Sequence, residues 1–234
     1  MLIWRQMSRV LLFTVVMLDT GVPAMAQPAL SSGSAIGKDF GTIIRTSKWP
    51  STRIEVCWEN PSADNGPLRS VVRNSVAETW GQHSALVFVG WGTCLEGSRG
   101  IHILIEESHP HTKKIGRYLD TVPNGMVLNF SFERWRPTCR LQLEFCVAAL
   151  AVHEFGHAIG FTHEQNRPDT PEECKADAQG VKGDFLVTQF DWHSIMNYCN
   201  PAWVGDGKLS ELDIVSVQTI YGLPEAKSED AAVP

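Results

Sequence analysis

The chain has 234 residues, a formal net charge of −6, six cysteines and 43% hydrophobic residues. That apolar share excludes a disordered or collagen-like chain, and the length fits one domain, or one domain with two lobes. The acidic balance argues against a nucleic-acid or anionic-membrane partner, because either would select a basic face.

Residues 1–26 read as a secretory signal peptide. Arg5 and Arg9 give a positive start, an apolar run covers 10–18, and Ala24-Met25-Ala26 supplies a small-x-small cleavage pattern. Asp19 ends the apolar run well short of the roughly 20 residues a membrane span needs. The expectation is an exported protein, secreted or periplasmic, with no membrane attachment after cleavage. Residues 27–47 are rich in Ser, Gly and Ala, and read as a linker, a short pro-segment or an ordered arm.

Regular patterning starts at Arg53. Residues 53–58 alternate as a strand does, and Pro67 then opens a helix with Leu68, Val71, Val72, Val76 and Trp80 at helical spacing. Residues 86–91, 101–106, 115–121 and 126–132 read as further strands, with 115–121 taken as an edge. Residues 141–159 read as a long helix stopped by Gly160, and Ser210 caps a last helix that Gly222 ends. Between them, about 162–207 carries few regular signals, and 225–234 reads as a polar tail.

An even number of cysteines in an exported chain favours three disulfides, and no CxxC spacing suggests zinc binding by thiolates. Fifteen pairings are open. Chain proximity favours Cys57–Cys94, Cys139–Cys146 and Cys174–Cys199.

The chemistry lies in His153-Glu154-Phe155-Gly156-His157-Ala158-Ile159-Gly160-Phe161-Thr162-His163. On a helix, residues 153 and 157 project one turn apart from one face, as two ligands of a single zinc must. Glu154 flanks them and can reach a water on the metal without ligating it. If the helix continued, His163 would be rotated by about 600° and displaced by about 9 Å from His157. The chain therefore has to leave the helix, and Gly160 can do so through the left-handed region. Three neutral nitrogens leave a fourth position open, which marks a catalytic rather than a structural zinc. A chance match to the whole pattern in this composition has odds of roughly 5 in 100,000.

Downstream lies Ser194-Ile195-Met196-Asn197-Tyr198. The histidine motif followed by this methionine turn resembles the metzincin zinc peptidases, closest to the astacin family. The Glu164 that follows the third histidine and the Tyr198 two residues after Met196 point to that branch. Asn197 departs from it, since astacins usually carry His there. The resemblance implies that His153, His157 and His163 bind one catalytic Zn2+ and that Glu154 is general base and proton shuttle. It implies that Met196 forms an apolar floor, that Tyr198 is a swinging fifth ligand of the metal that hydrogen-bonds the oxyanion, and that Glu164 ties the helix exit to the chain's own start.

The expected fold is α+β and metzincin-like. It has a twisted mixed sheet of about five strands, two long helices, a zinc cleft and a small irregular C-terminal lobe ending in a helix. The expected catalytic domain is 48–224, with lobes 48–160 and 161–224. The expected function is a secreted metalloendopeptidase using a zinc-activated water on protein or peptide substrates. The alternatives are a narrow processing peptidase of another metzincin branch and a non-catalytic, zinc-stabilised binding module. His109 and His111 could form a second metal site but read better as a solvated loop, and His83, His102 and His193 as structural. Asp206-Gly207-Lys208 and Asp213 lack a calcium-loop pattern.

Overall fold

A computed structural model describes residues 43–177 and 179–225. The signal-peptide segment and nearly all of the polar tail lie outside the described residues. Strand β1 (Arg53–Trp58) forms as its alternation predicts, with Ile54, Val56 and Trp58 buried and Arg53 and Glu55 exposed. β2 (Val87–Thr93), β3 (Ile101–Ile105), β4 (His111–Thr112) and β5 (Met126–Leu128) complete one sheet in the order β2-β1-β3-β5-β4. All pairings are parallel except β4 on β5, so the sheet is mixed and β4 is its antiparallel edge.

Two strands expected from the sequence are corrected by the fold. Residues 115–121 are not a strand: Gly116–Leu119 is a single 3-10 turn. At Gly116 the backbone has φ +56°, and a Cβ there would lie 2.0 Å from the Ser47 carbonyl oxygen. The passing chain forces a turn where Ile115 alone would extend. The edge is instead the two-residue β4, hidden in the sequence by its length and by the preceding Pro110. The strand expected over 126–132 also stops at Leu128, because the Asn129 side chain accepts hydrogen bonds from the Ser131 and Phe132 amides and turns the chain.

Helix α1 (Gly66–Val76) continues through a π turn, Ala77–Gly81, and buries Val72, Val76 and Trp80. The Trp80 indole donates to the Val152 carbonyl at 2.8 Å, which fixes α1 to α2 (Leu143–Ala158). Helix α2 is buried on nearly every side from Cys146 to Ala158, as its almost unbroken apolar sequence requires. Phe155 meets Phe88 and Trp91 of β2 at 5.2 and 5.8 Å. Helix α3 (Glu211–Tyr221) starts at a Ser210–Asp213 capping box and stops at Gly222.

The described residues just before β1 are also packed. Ile43 is fully buried and pairs with Phe161 and Phe185, and the Tyr221 hydroxyl reaches the Ile159 carbonyl at 2.7 Å. The disulfides are Cys57–Cys94, Cys139–Cys146 and Cys174–Cys199, the pairing favoured by proximity, with no free cysteine.

Candidate metal centre

Helix α2 brings Glu154 and His157 to the wall of a cleft of about 750 Å³, and places His153 one turn before His157 on the same helix. After His157 the helix ends, and Gly160, at φ +107°, turns the chain out through a region closed to other residues without strain. The turn carries His163 back, so that its Nε2 lies 3.0 Å from that of His157 and 3.3 Å from that of His153. Residues six and ten apart in sequence thus share one point, which a continued helix could not achieve.

Each ring is oriented from behind. Nδ1 of His153 donates to the Ile195 carbonyl at 2.7 Å, that of His157 to the Phe161 carbonyl at 2.9 Å, and that of His163 to the Gln179 carbonyl at 2.9 Å. These bonds place the proton on Nδ1 and leave three Nε2 lone pairs facing one another. Three acceptors at that spacing repel unless a cation lies between them. Two nitrogens at the roughly 2.0–2.1 Å expected for zinc, at a tetrahedral angle, stand about 3.3 Å apart. Burial keeps the rings neutral, holding His153 down to about 3, aided by His163, and His157 well below the usual range. His163 is lowered as well, again by burial.

Glu154 lies beside them, 4% exposed, and its Oε2 has no hydrogen-bond partner among the described residues. A buried carboxylate oxygen without a partner is costly, and burial pushes the carboxyl up to about 8. The orphaned oxygen and the three converging lone pairs fit one zinc ion and a water beside it.

The methionine turn closes the site from below. Gly156 allows this, because a Cβ there would lie 2.3 Å from Met196 Sδ and 3.2 Å from the Trp80 ring. The Ile195 carbonyl holds His153, and the Met196 carbonyl accepts the Glu164 amide at 3.0 Å. Asn197 braces the turn from within. Its Nδ2 donates to the Asp191 carbonyl and its Oδ1 accepts the Cys199 amide.

Tyr198 is half-exposed, with ring centroids 4.4 Å from His163 and 5.6 Å from His153. Burial and then the charge of Glu154 push its hydroxyl up to about 12, so it remains a donor. Glu164 is fully buried. Its carboxylate pairs with Arg167 at 3.3 Å and accepts the Asp191 amide at 2.9 Å, partners that both follow it in the chain.

Among the described residues, no second histidine set is assembled. His109 packs on Trp135 at 4.6 Å and lines the cleft, while His111 sits on edge strand β4. His102 is structural, bonded to Glu59 at 3.1 Å and the Ser98 carbonyl at 2.9 Å. It approaches Cys57 and Cys94, but both sulfurs are tied up in a disulfide. Asp213 is the residue whose role the sequence conceals. It accepts the Ser194 hydroxyl at 2.7 Å and the Ile195 amide at 2.9 Å, fixing the methionine turn to the start of α3. The Ser-x-x-Asp pattern signals its capping half alone.

The model of the astacin peptidase family matches residues 138–219. The chain is 28% identical to zinc metalloproteinase nas-13 of Caenorhabditis elegans over a match covering 32% of this chain and 24% of that protein. It is 30% identical to the low choriolytic enzyme of Oryzias latipes, covering 35% and 34%. The chain thus spans about a quarter to a third of the length of these curated relatives. A solved structure of myroilysin superposes with a TM-score of 0.56 at 19% identity, over 77% of this chain and 98% of that one. That likeness shows the α+β fold alone, and the family match bears out the resemblance to astacins.

Proposed function

We propose that this astacin-like chain is a zinc-dependent metalloendopeptidase, with His153, His157 and His163 as metal ligands and Glu154 as general base. The observation that carries the reading is the convergence of three Nε2 lone pairs beside the unpartnered Oε2 of Glu154. A bound zinc ion supplies Lewis acidity, polarising a carbonyl and making a neighbouring water easier to deprotonate.

The chain's own groups do the rest. In its ionised form Glu154 takes the water's proton at Oε2 as the oxygen attacks the scissile carbonyl, and returns it to the leaving amine. The Tyr198 hydroxyl donates a hydrogen bond to the oxygen on which negative charge develops. The substrate lies extended along edge strand β4, whose unpaired backbone can accept another strand. Met196 and Gly156 lock the floor so that the histidines do not shift during the reaction.

Export rests on residues 1–26, and substrates are proteins or peptides outside the cytoplasm. Residues 48–224 make up the catalytic unit in this reading. No described helix is long and apolar enough to cross a membrane. Casein or gelatin hydrolysis by the purified chain tests the activity. It should stop with a chelator and return on adding zinc, whereas hydrolysis unaffected by chelation would refute the metal's role.

A further inference from the structure

The net charge of −6 is not evenly spread. A groove of about 590 Å³ opens beside the catalytic cleft, and the two meet at Tyr118, which lines both. Arg53, Arg99 and Arg117 wall this groove, and Lys113 and Lys114 line the adjoining rim of the cleft. The opposing charges in the groove are Glu55 and Asp120.

Asp120 is already engaged. Its carboxylate pairs with Arg99 and accepts the Gly100 amide at 2.7 Å, which holds the far wall in place. Arg53, Lys113, Lys114 and Arg117 form no ion pair among the described residues. Arg117 lies over the Tyr118 ring, its guanidinium carbon 5.8 Å from the centroid, at the junction of the two depressions. With Asp120 held by Arg99, Glu55 is the one remaining carboxylate among the described residues that line the groove. Against it stand Arg53 and Arg117 there and Lys113 and Lys114 beside it, so the local charge is positive in an acidic protein and attracts what the rest of the surface repels.

We propose that this groove holds an acidic segment of the polypeptide substrate, several residues away from the bond that is cut. The inference rests on the peptidase reading and names the substrate class it favours. A chain extended along β4 and residues 113–115 leaves the cleft over Tyr118 and enters the groove, where arginine forks match carboxylates in geometry as well as charge. The contact lies outside the reacting atoms, so it acts on substrate capture rather than on the chemical step.

The test uses zinc-loaded full chain and peptides sharing one cleavable core, with three Glu or three Gln added at either end. At one end, the Glu tail should raise kcat/KM about tenfold through a lower KM. The advantage should vanish in roughly 0.5 M salt. It should also vanish in the Arg53→Gln/Arg117→Gln variant, which should cut the Gln-tailed peptide at the wild-type rate. Equal rates for both tails, or a variant slowed equally on both, would overturn the proposal. Binding is read separately, by fluorescence anisotropy of the same peptides on Glu154→Gln. If no peptide is cut, the peptidase reading fails, but tighter binding of the Glu-tailed peptide still supports the groove, and equal binding rejects it. A sulfated oligosaccharide bound more tightly than either peptide would assign the groove elsewhere and overturn the proposal.

Discussion

The carboxylate of Asp213 accepts the backbone amide of Ile195 at 2.9 Å, so the first turn of α3 holds the residue whose carbonyl orients His153. The same carboxylate accepts the Ser210 amide at 3.0 Å within the capping box. Replacing Asp213 by Ala strands several buried donors at once. We expect a loss of about 2–4 kcal/mol in stability, with weaker zinc retention. Urea unfolding and zinc content after dialysis measure the two effects, and a variant normal in both would disprove the link.

The same residue predicts a pH dependence. Burial raises the Asp213 carboxyl to about 6 from its ordinary 3.8, against the pull of the Ile195, Ser194 and Ser210 donors. Between these values the folded chain holds a proton that the unfolded chain has released, so its contribution to stability is complete below pH 3.8. It is lost as pH rises through about 6, at no more than about 1.4 kcal/mol per pH unit. Urea midpoints at about pH 4, 5 and 6.5 should therefore fall more steeply for the wild type than for Asp213→Asn. Parallel profiles would rule the assignment out.

Gly156 sits mid-helix, where Ala would ordinarily stabilise by up to about 1 kcal/mol. Here its Cβ would meet Met196 Sδ at 2.3 Å, inside a fully buried floor. Gly156→Ala should instead cost about 1–3 kcal/mol through overpacking. Adding Met196→Ala should recover part of that loss in thermal melts, since the two changes share one contact.

Cys174–Cys199 closes a 25-residue separation and ends directly beyond Tyr198. Removing it as Cys174→Ser/Cys199→Ser should destabilise by about 3 kcal/mol from loop entropy. The loss should also lower activity more than removing Cys57–Cys94, which lies at the sheet away from the histidines. Paired melting and hydrolysis assays compare the two.

Much of this architecture is visible in the residues. The alternation of Arg53–Trp58, the Ser210 cap and the Gly160 exit each rest on local physics that sequence displays. The proximity of cysteines along the chain suggests the disulfide pairing that forms. What stays concealed depends on partners distant in sequence. β4 exists because β5 lies beside it, and residues 115–121 turn because Ser47 passes close to Gly116. Asp213 belongs to the site through Ser194 and Ile195, which no periodicity signals.

Tyr198 differs from the ligands in its proposed role. Tyr198→Phe keeps the ring against His163 and removes the donor. It should lower kcat by about 10²-fold with KM and zinc content little changed. A rise in KM alone would mean that the hydroxyl binds substrate rather than the oxyanion.

In the proposed mechanism the orphaned oxygen of Glu154 moves the proton while the three histidines hold the metal. Glu154→Gln, measured for both zinc content and casein hydrolysis, tests this most directly. The expected result is one zinc per chain, with activity reduced by at least about 10³-fold. A variant that retains its zinc and cleaves casein as fast as the wild type would contradict it.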